Sequence, residues 1–314
     1  DAYCNLANAL KEKGMIKEAE QYYNIAICLC PTHADSFNNL ANIYREQGKV
    51  KESIELYRKA LEISPNFAAA HSNIATVLQQ CGNLTDAIQH YQRAVNANPS
   101  YPEGHCFLGN ALKEIGNYKA AIECYMRAIQ INPCSPDAHA FLGTVYKDSG
   151  NIVEAIHAFK ISLKFRSNFS EVFCNLIHCY QLICDWNGYE ERMQKLISIV
   201  SEQLEKNRPP TVHPHHTMLY PLTFAQSKCI ANRHSIFCLD RISFLGLKIK
   251  THSNNKFTKG KRIKVGYVSS DFCNHPTSHL IQSIPGLHDN KIIEVFCYSL
   301  IASDDSSFRR KIEI

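Results

Sequence analysis

The chain is 314 residues long, 45% hydrophobic and 20% charged, with a formal net charge of +5. That length allows about two domains, and so modest and scattered a charge excludes an electrostatic case for nucleic acid or an anionic membrane as a partner. No run approaches ~18 consecutive apolar residues, so no membrane span is expected, and no basic-then-apolar secretory leader is visible. The sequence opens on Asp1 rather than Met and is expected to be a piece of a longer protein.

Residues 1–169 repeat with a period of 34. Gly14, Gly48, Gly82, Gly116 and Gly150 fall on that period, as do Pro31, Pro65, Pro99 and Pro133. So do the apolar column Leu6, Leu40, Ile74, Leu108, Leu142 and the aromatic column Tyr23, Tyr57, Tyr91, Tyr125, Phe159. A 34-residue period with this pattern is that of the tetratricopeptide repeat. Each unit is predicted to be two antiparallel helices, the glycine closing the first in a left-handed conformation and the proline breaking the second. The small column Ala7, Ala41, Ala75, Gly109, Gly143 lets the helices approach. No unit can bury its apolar face alone, so the units must stack into a superhelix. A degenerate sixth copy begins near Ser170, with Cys184 at its glycine position, and residues 186–206 read as a closing helix.

On the first helix of each unit, the face opposite the core carries a second recurrent set. Asn5, Asn39, Asn73 and Asn175 share one column, and Asn8, Asn42 and Asn110 another three residues on. Asp1, Asp35, Glu103, Asp137 and Glu171 lie along the same stripe. Asparagine is a poor helix former, so its recurrence needs a cause. A carboxamide offers an acceptor and two donors, which match the C=O and N–H of a peptide unit. A row of them could hold an extended chain by its backbone; equally, the columns could be a solvated face copied by repeat ancestry. Phe107 and Phe141 interrupt the first column. The column before it (Cys4, Asn38, Ser72, Cys106, Ala140, Cys174) holds no lysine, which argues against a clamp for a partner's C-terminal carboxylate.

Fourteen cysteines are spread along the chain without a C-x-x-C pair, and free thiols acting as small apolar side chains are expected. Asn83-Leu84-Thr85 and Asn168-Phe169-Ser170 match the glycosylation pattern, which arises often by chance. Residues 207–260 read as a linker and transitional helix: four prolines in 207–221, helix over 222–246, and a polar, basic loop over 251–261. His213, His215 and His216 cluster in the linker without a cysteine or carboxylate at ligand spacing, so a packed linker is favoured over a metal site. From residue 261 the pattern changes. Strands are predicted at 262–270 and 292–300, with a helix from Pro276 to about Ile284 between them. That is the β–loop–α–β opening of a doubly wound α/β domain. The loop Asp271–His275 lies at the carboxyl end of its strand, where such folds bind ligands. His275 and His279 lack the glutamate of a zinc-binding H-E-x-x-H pair.

The segments "CNLANALKEKG", "DWNGYEERMQKLISIV", "VHPHHTMLYPL" and "RIKVGYVSSDFCNHPTSHLIQSIPGLH", in this order, resemble the protein O-linked N-acetylglucosaminyltransferase family essentially end to end. The resemblance implies a mainly α fold, a tetratricopeptide α-solenoid followed by the Rossmann-like start of a two-lobed glycosyltransferase. It implies transfer of N-acetylglucosamine from UDP to Ser or Thr of nuclear and cytoplasmic proteins, with inversion and without a metal or other cofactor. The repeats would recruit extended protein substrates through Asn5, Asn39, Asn73 and Asn175, and His275 would be the active-site histidine near the donor. Cys273 stands where the family has glycine; a backbone with positive φ there would be strained by roughly 1 kcal/mol. The groups expected to hold the UDP phosphates would lie past residue 314, so these residues alone are expected to be inactive. The competing reading is a non-catalytic repeat scaffold for protein–protein interaction.

Overall fold

Each 34-residue copy folds as a helix pair. The copies give α1 (Ala2–Glu12) and α2 (Ile16–Leu29), α3 (Ala34–Glu46) and α4 (Val50–Ile63), α5 (Ala68–Gln80) and α6 (Leu84–Ala97), α7 (Pro102–Glu114) and α8 (Tyr118–Ile131), and α9 (Pro136–Asp148) and α10 (Ile152–Phe165). These come from a computed structural model that describes residues 1–244 and 262–312. The chain divides into two compact units, Asp1–Lys248 and Ile249–Ile314. The expected end of the helix at 245–246 and the basic loop at 251–261 lie outside the described residues.

The columns read from the sequence become the joints of the array. Tyr23, Tyr57, Tyr91, Tyr125 and Phe159 are at most 1% exposed. The apolar residue six places into each following copy packs on the aromatic of the copy before it: Leu40 with Tyr23, Ile74 with Tyr57, Leu108 with Tyr91. At Gly109 and Gly143 a Cβ would lie 2.6 Å from the rings of Tyr125 and Phe159, so the small column is demanded by the aromatic one.

The buried tyrosine hydroxyls need partners. Tyr57 donates to Asn42 Oδ1 at 2.7 Å and Tyr125 to Asn110 Oδ1 at 2.7 Å, while Tyr23 donates to Asn8. In the third copy Tyr91 meets Thr76 at 3.0 Å. The fifth copy has Phe159, which needs no partner, and there Thr144 turns back to the Ala140 carbonyl at 2.9 Å. The column Asn8, Asn42, Asn110 therefore does not stand on a face opposite the core. It satisfies the core's own hydroxyls.

All five repeat glycines are left-handed, with φ between 75° and 84°. The sixth copy begins with α11 (Ser170–Leu182) and puts Cys184 in the same conformation, φ 55°. A side chain there costs about 1–2 kcal/mol, offset in part by the greater unfolded-state freedom of glycine, about 0.4–1 kcal/mol. Cys184→Gly should therefore stabilise the array by about 0.5–1 kcal/mol; a lower urea midpoint for the variant would contradict this. Cys273, by contrast, is not among the residues with positive φ, so the strain expected at that position is absent.

The segment after the sixth copy is packed, and the helix expected from 222 is present from Phe224. Following α12 (Tyr189–Glu205), a 3-10 turn at Pro214–Leu219 and α13 (Phe224–Phe244) fold back on the array. Val212, Tyr220 and Ile230 join Phe173, Ile177, Met193, Leu196 and Val200 in one buried cluster. Arg233 donates to the carbonyls of Gln203, Leu204 and Arg208, closing the carboxyl end of α12. Burial of apolar surface at the open end of the solenoid is the physical reason.

The linker histidines pack against other imidazole rings. The rings of His178 and His216 are 4.0 Å apart and those of His213 and His234 4.8 Å. Among the described residues no group of three or more His, Cys, Asp or Glu is placed to hold a metal. Burial, then His178 and Lys147, push His216 down to about 4 from 6.5. The unfolded chain thus takes up this proton below about pH 6.5 while the folded chain resists it until about 4, so stability falls as pH falls through that window. Melting of residues 1–248 should show this decline between pH 7 and 5, and His216→Gln should flatten it; an unchanged slope would show the stack to be electrostatically inert.

In the second unit, β1 (Ile263–Ser269) and β2 (Ile293–Ser299) pair in parallel, Ile263 opposite Ile293 through Ser269 opposite Ser299. Parallel neighbours need a crossover, supplied by α14 (Pro276–Ile281) and a 3-10 turn at Pro285–Leu287. The helix is three residues shorter than expected. A further helix, α15 (Ser307–Ile312), follows β2.

Candidate functional site

Two surfaces carry the residues singled out from the sequence, one in each unit. The first is the line of odd-numbered helices, which pack on one another from copy to copy as well as on their even partners. Asn5 is exposed, whereas Asn39, Asn73 and Asn175 are half-buried. Asn39 donates to Asn8 Oδ1 at 3.1 Å, and Asn73 to Asn38 Oδ1 at 2.9 Å. Asn175 accepts from Lys147 Nζ at 3.0 Å. The column thus sits at the seams between copies, with the amides of Asn39, Asn73 and Asn175 partly committed to a neighbour. Two of the expected carboxylates are also engaged: Asp1 with His33 at 3.0 Å, and Asp137 with Arg166 through two bonds of 2.9 and 2.8 Å. Three of the four carboxamides do not stand unpartnered; Asn39, Asn73 and Asn175 are rungs anchored at one end. A rung so anchored is pre-oriented, which lowers the entropy lost on binding.

The sequence reading missed a histidine column. His71, His105 and His139 stand 34 apart, and the Nε2 of each meets the carbonyl of Pro65, Pro99 or Pro133 at 2.9–3.1 Å. These rings tie each odd helix to the turn before it. Their spacing was the signal. The buried thiols are structural too: burial raises Cys106 to about 12 and Cys174 to about 11, well away from thiolate chemistry at neutral pH.

The second surface is the loop after β1. Ser269 Oγ accepts from the Asp271 N–H at 2.9 Å, turning the chain off the strand. Phe272 is 1% exposed and plugs the loop into its unit, and Arg309 of α15 donates to its carbonyl at 3.1 Å. The buried hydroxyl of Ser278 donates to the Asp271 carbonyl and accepts from the Cys273 N–H at 3.3 Å. Asp304 accepts from the Asn274 N–H at 2.7 Å, and that bond holds its carboxyl below the usual range. Backbone groups of residues 271–274 are thus fastened from three directions.

His275 follows this fastened stretch with its side chain about half exposed, its Nδ1 3.7 Å from Asp271 Oδ2. That carboxylate can orient the ring. His279 is used differently. Its ring stacks on Phe308 at 4.0 Å and its Nε2 meets Asn274 Oδ1 at 3.0 Å, so it braces the loop. A half-exposed imidazole beside a carboxylate, on a held loop at a strand's carboxyl end, can accept a proton or hydrogen-bond a developing charge.

Residues 183–314 match the glycosyl transferase family 41 model, and residues 1–33 and 41–150 match tetratricopeptide repeat models. The chain thus joins an array that matches tetratricopeptide repeats to a segment that matches glycosyl transferase family 41. A UDP-N-acetylglucosamine–peptide N-acetylglucosaminyltransferase of Caenorhabditis elegans is 55% identical over 135 residues, 42% of this chain and 12% of that protein. A probable enzyme of the same name from Arabidopsis thaliana is 37% identical over 142 residues, 44% of this chain and 14% of that one. The chain therefore spans 12–14% of the length of these relatives. Among solved structures, the type IV pilus biogenesis factor PilW covers 63% of this chain and 91% of its own (TM-score 0.58, 17% identity). Pseudomonas aeruginosa PilF covers 62% and 89% (TM-score 0.57, 20% identity). These two share the repeat fold. The segment matched by the family 41 model begins inside the sixth copy and includes the helices that cap the array.

Proposed function

We propose that the chain supplies the protein-recruiting array and the first strand and active-site loop of a UDP-N-acetylglucosamine:protein O-glycosyltransferase. The observation that carries this reading is the fastened loop with His275 presented beside Asp271, inside the family 41 segment. The reaction is a single inverting displacement. A Ser or Thr hydroxyl oxygen bonds to the anomeric carbon as the bond to the diphosphate oxygen breaks; the hydroxyl proton leaves and UDP departs. His275 takes that proton or hydrogen-bonds the reacting groups. No metal is invoked, and the acceptors are nuclear and cytoplasmic proteins. Residues 1–314 alone are not expected to bind UDP, whose diphosphate needs positive groups and helix N-termini that the resemblance places outside them.

Recruitment is assigned to Asn5, Asn39, Asn73 and Asn175, which would grip an extended acceptor by its backbone. Replacing Asn5, Asn39 and Asn73 together by alanine should weaken binding of an acceptor protein by about 0.5–1.5 kcal/mol per amide, with helicity retained. Calorimetric titration tests it: equal affinity in the triple variant removes the amides from the binding path.

A further inference from the structure

The third copy holds a histidine pair that the other copies lack. His71 of α5 is 5% exposed and His90 of α6 is half-buried, and their Nδ1 atoms are 3.0 Å apart. The proton positions follow from the partners. The Pro65 carbonyl can only accept, so His71 Nε2, 2.9 Å from it, carries a proton. A neutral His71 then presents a lone pair at Nδ1, and the proton between the rings belongs to His90. His90 Nε2 is left with a lone pair and has no hydrogen-bond partner among the described residues. The pair lines a cavity of about 680 Å³ together with Arg93 and Asn96 of α6 and the apolar Leu61 and Pro65. Arg93 is exposed and without an ion pair or side-chain hydrogen bond among the described residues. Asn96 accepts from Gln92 at 3.0 Å through its oxygen, which leaves its N–H groups to donate. None of the lining residues is acidic. The groups that act on His90 are His71 from α5, Arg93 and Asp86 from its own helix and Arg58 from α4. Of these, Asp86 already accepts from Asn83 at 2.7 Å. Burial, then His71 and Arg93, push His90 down to about 4 from 6.5. An anion beside the ring opposes that push.

We propose that this cavity binds a phosphate monoester, with Arg93 and the Asn96 amide as donors and His90 taking up a proton at Nε2 to become the third. Protonation there breaks no existing bond, because His90 still donates to His71 through Nδ1. The rigid fork of a guanidinium matches phosphate geometry, and a phosphate ester carries about −1.5 to −2 charges at neutral pH. A carboxylate, with one charge and two oxygens, is the poorer match for three donors. The ligand and the proton therefore enter together: the anion makes His90 easier to charge, and the charged ring holds the anion. The matching place in the fourth copy has His105 and Arg127 but Cys124 instead of His90, and Arg127 there donates to Gln130 at 3.1 Å. That copy has the arginine without the imidazole that switches, and so supplies a control within the same chain.

The test titrates the 314-residue chain with phenyl phosphate by calorimetry. The wild-type chain should bind it. Arg93→Gln should weaken binding at least about tenfold, the size expected for a lost hydrogen bond between charged groups. Arg127→Gln, the counterpart in the fourth copy, should bind within about twofold of wild type, since losses at a separate site leave these donors in place. Inorganic sulfate keeps its charge between about pH 7 and pH 5, so it reads the proton on the protein alone. It should bind the wild-type chain severalfold more tightly at the lower pH and lose that gain in His90→Cys, which carries the fourth copy's residue. A phosphoserine peptide set against phenyl phosphate separates the two sources of the group: tighter binding of the peptide assigns a modified protein, tighter binding of phenyl phosphate a small ester. Phenyl phosphate binding weaker than about 1 mM, undiminished binding by a helical Arg93→Gln chain, or an equal loss in Arg127→Gln overturns the proposal. So does benzoate binding as tightly as phenyl phosphate, or a sulfate gain at low pH that survives in His90→Cys.

Discussion

Phe159→Ala should lower the unfolding free energy of the repeat array by about 3–5 kcal/mol. The ring is 0% exposed and packs among Ala140, Ala155, Ile156, Val172, Leu176 and Cys179. Those neighbours are small or already committed to the adjoining copy, so they cannot close over the space left. Gly143 lies against the ring and carries no side chain that could move in. Because Phe159 has no hydroxyl and leaves no polar orphan, the loss is one of apolar burial and cavity formation alone. A whole domain commonly holds about 5–15 kcal/mol, and stability in a stacked array is a sum over neighbours, so the damage should centre on the fifth and sixth copies. Urea unfolding measures it. A loss under about 1 kcal/mol would mean that the aromatic column is not the joint of the array.

His275→Ala should reduce turnover about 10²–10⁴-fold at saturating donor if the imidazole carries the proton. The variant has to be made with this chain joined to a complete family 41 catalytic region. Melting of the array should not change, since His275 is half exposed and lies in the second unit. His279→Ala should act through stability, because its ring stacks on Phe308 and its Nε2 holds Asn274. Near-normal turnover in His275→Ala together with loss in His279→Ala would reverse the two roles.

The repeat architecture was legible because its physics is periodic: the glycine, apolar and aromatic columns each report one joint, repeated five times. The sixth copy was legible through Cys184, which keeps the left-handed turn even without glycine. In residues 207–244 the break at the prolines and the helix after it were legible, but not their packing on the array, because the apolar residues Val212, Tyr220 and Ile230 that bury the open end carry no period. The asparagine columns were placed on an open face because helical spacing gives direction but not the distance to the next copy. Contact between odd helices turned one column into partners for tyrosine hydroxyls and the other into seam bonds. In the second unit the strands and the loop were legible from β-branched runs and from Pro276. What holds the loop was not, because Asp304 and Arg309 reach it from about thirty to forty residues away in sequence.

The most direct measurement joins this chain to a complete family 41 catalytic region, supplies UDP-N-acetylglucosamine, and follows an acceptor protein by intact mass. The account predicts addition of single N-acetylhexosamine units to Ser or Thr residues, abolished or greatly slowed by His275→Ala. It also predicts slower addition to a long acceptor, but not to a short peptide, when Asn5, Asn39 and Asn73 are alanine. No addition with His275 intact, or addition as fast with His275→Ala as without it, would contradict the account.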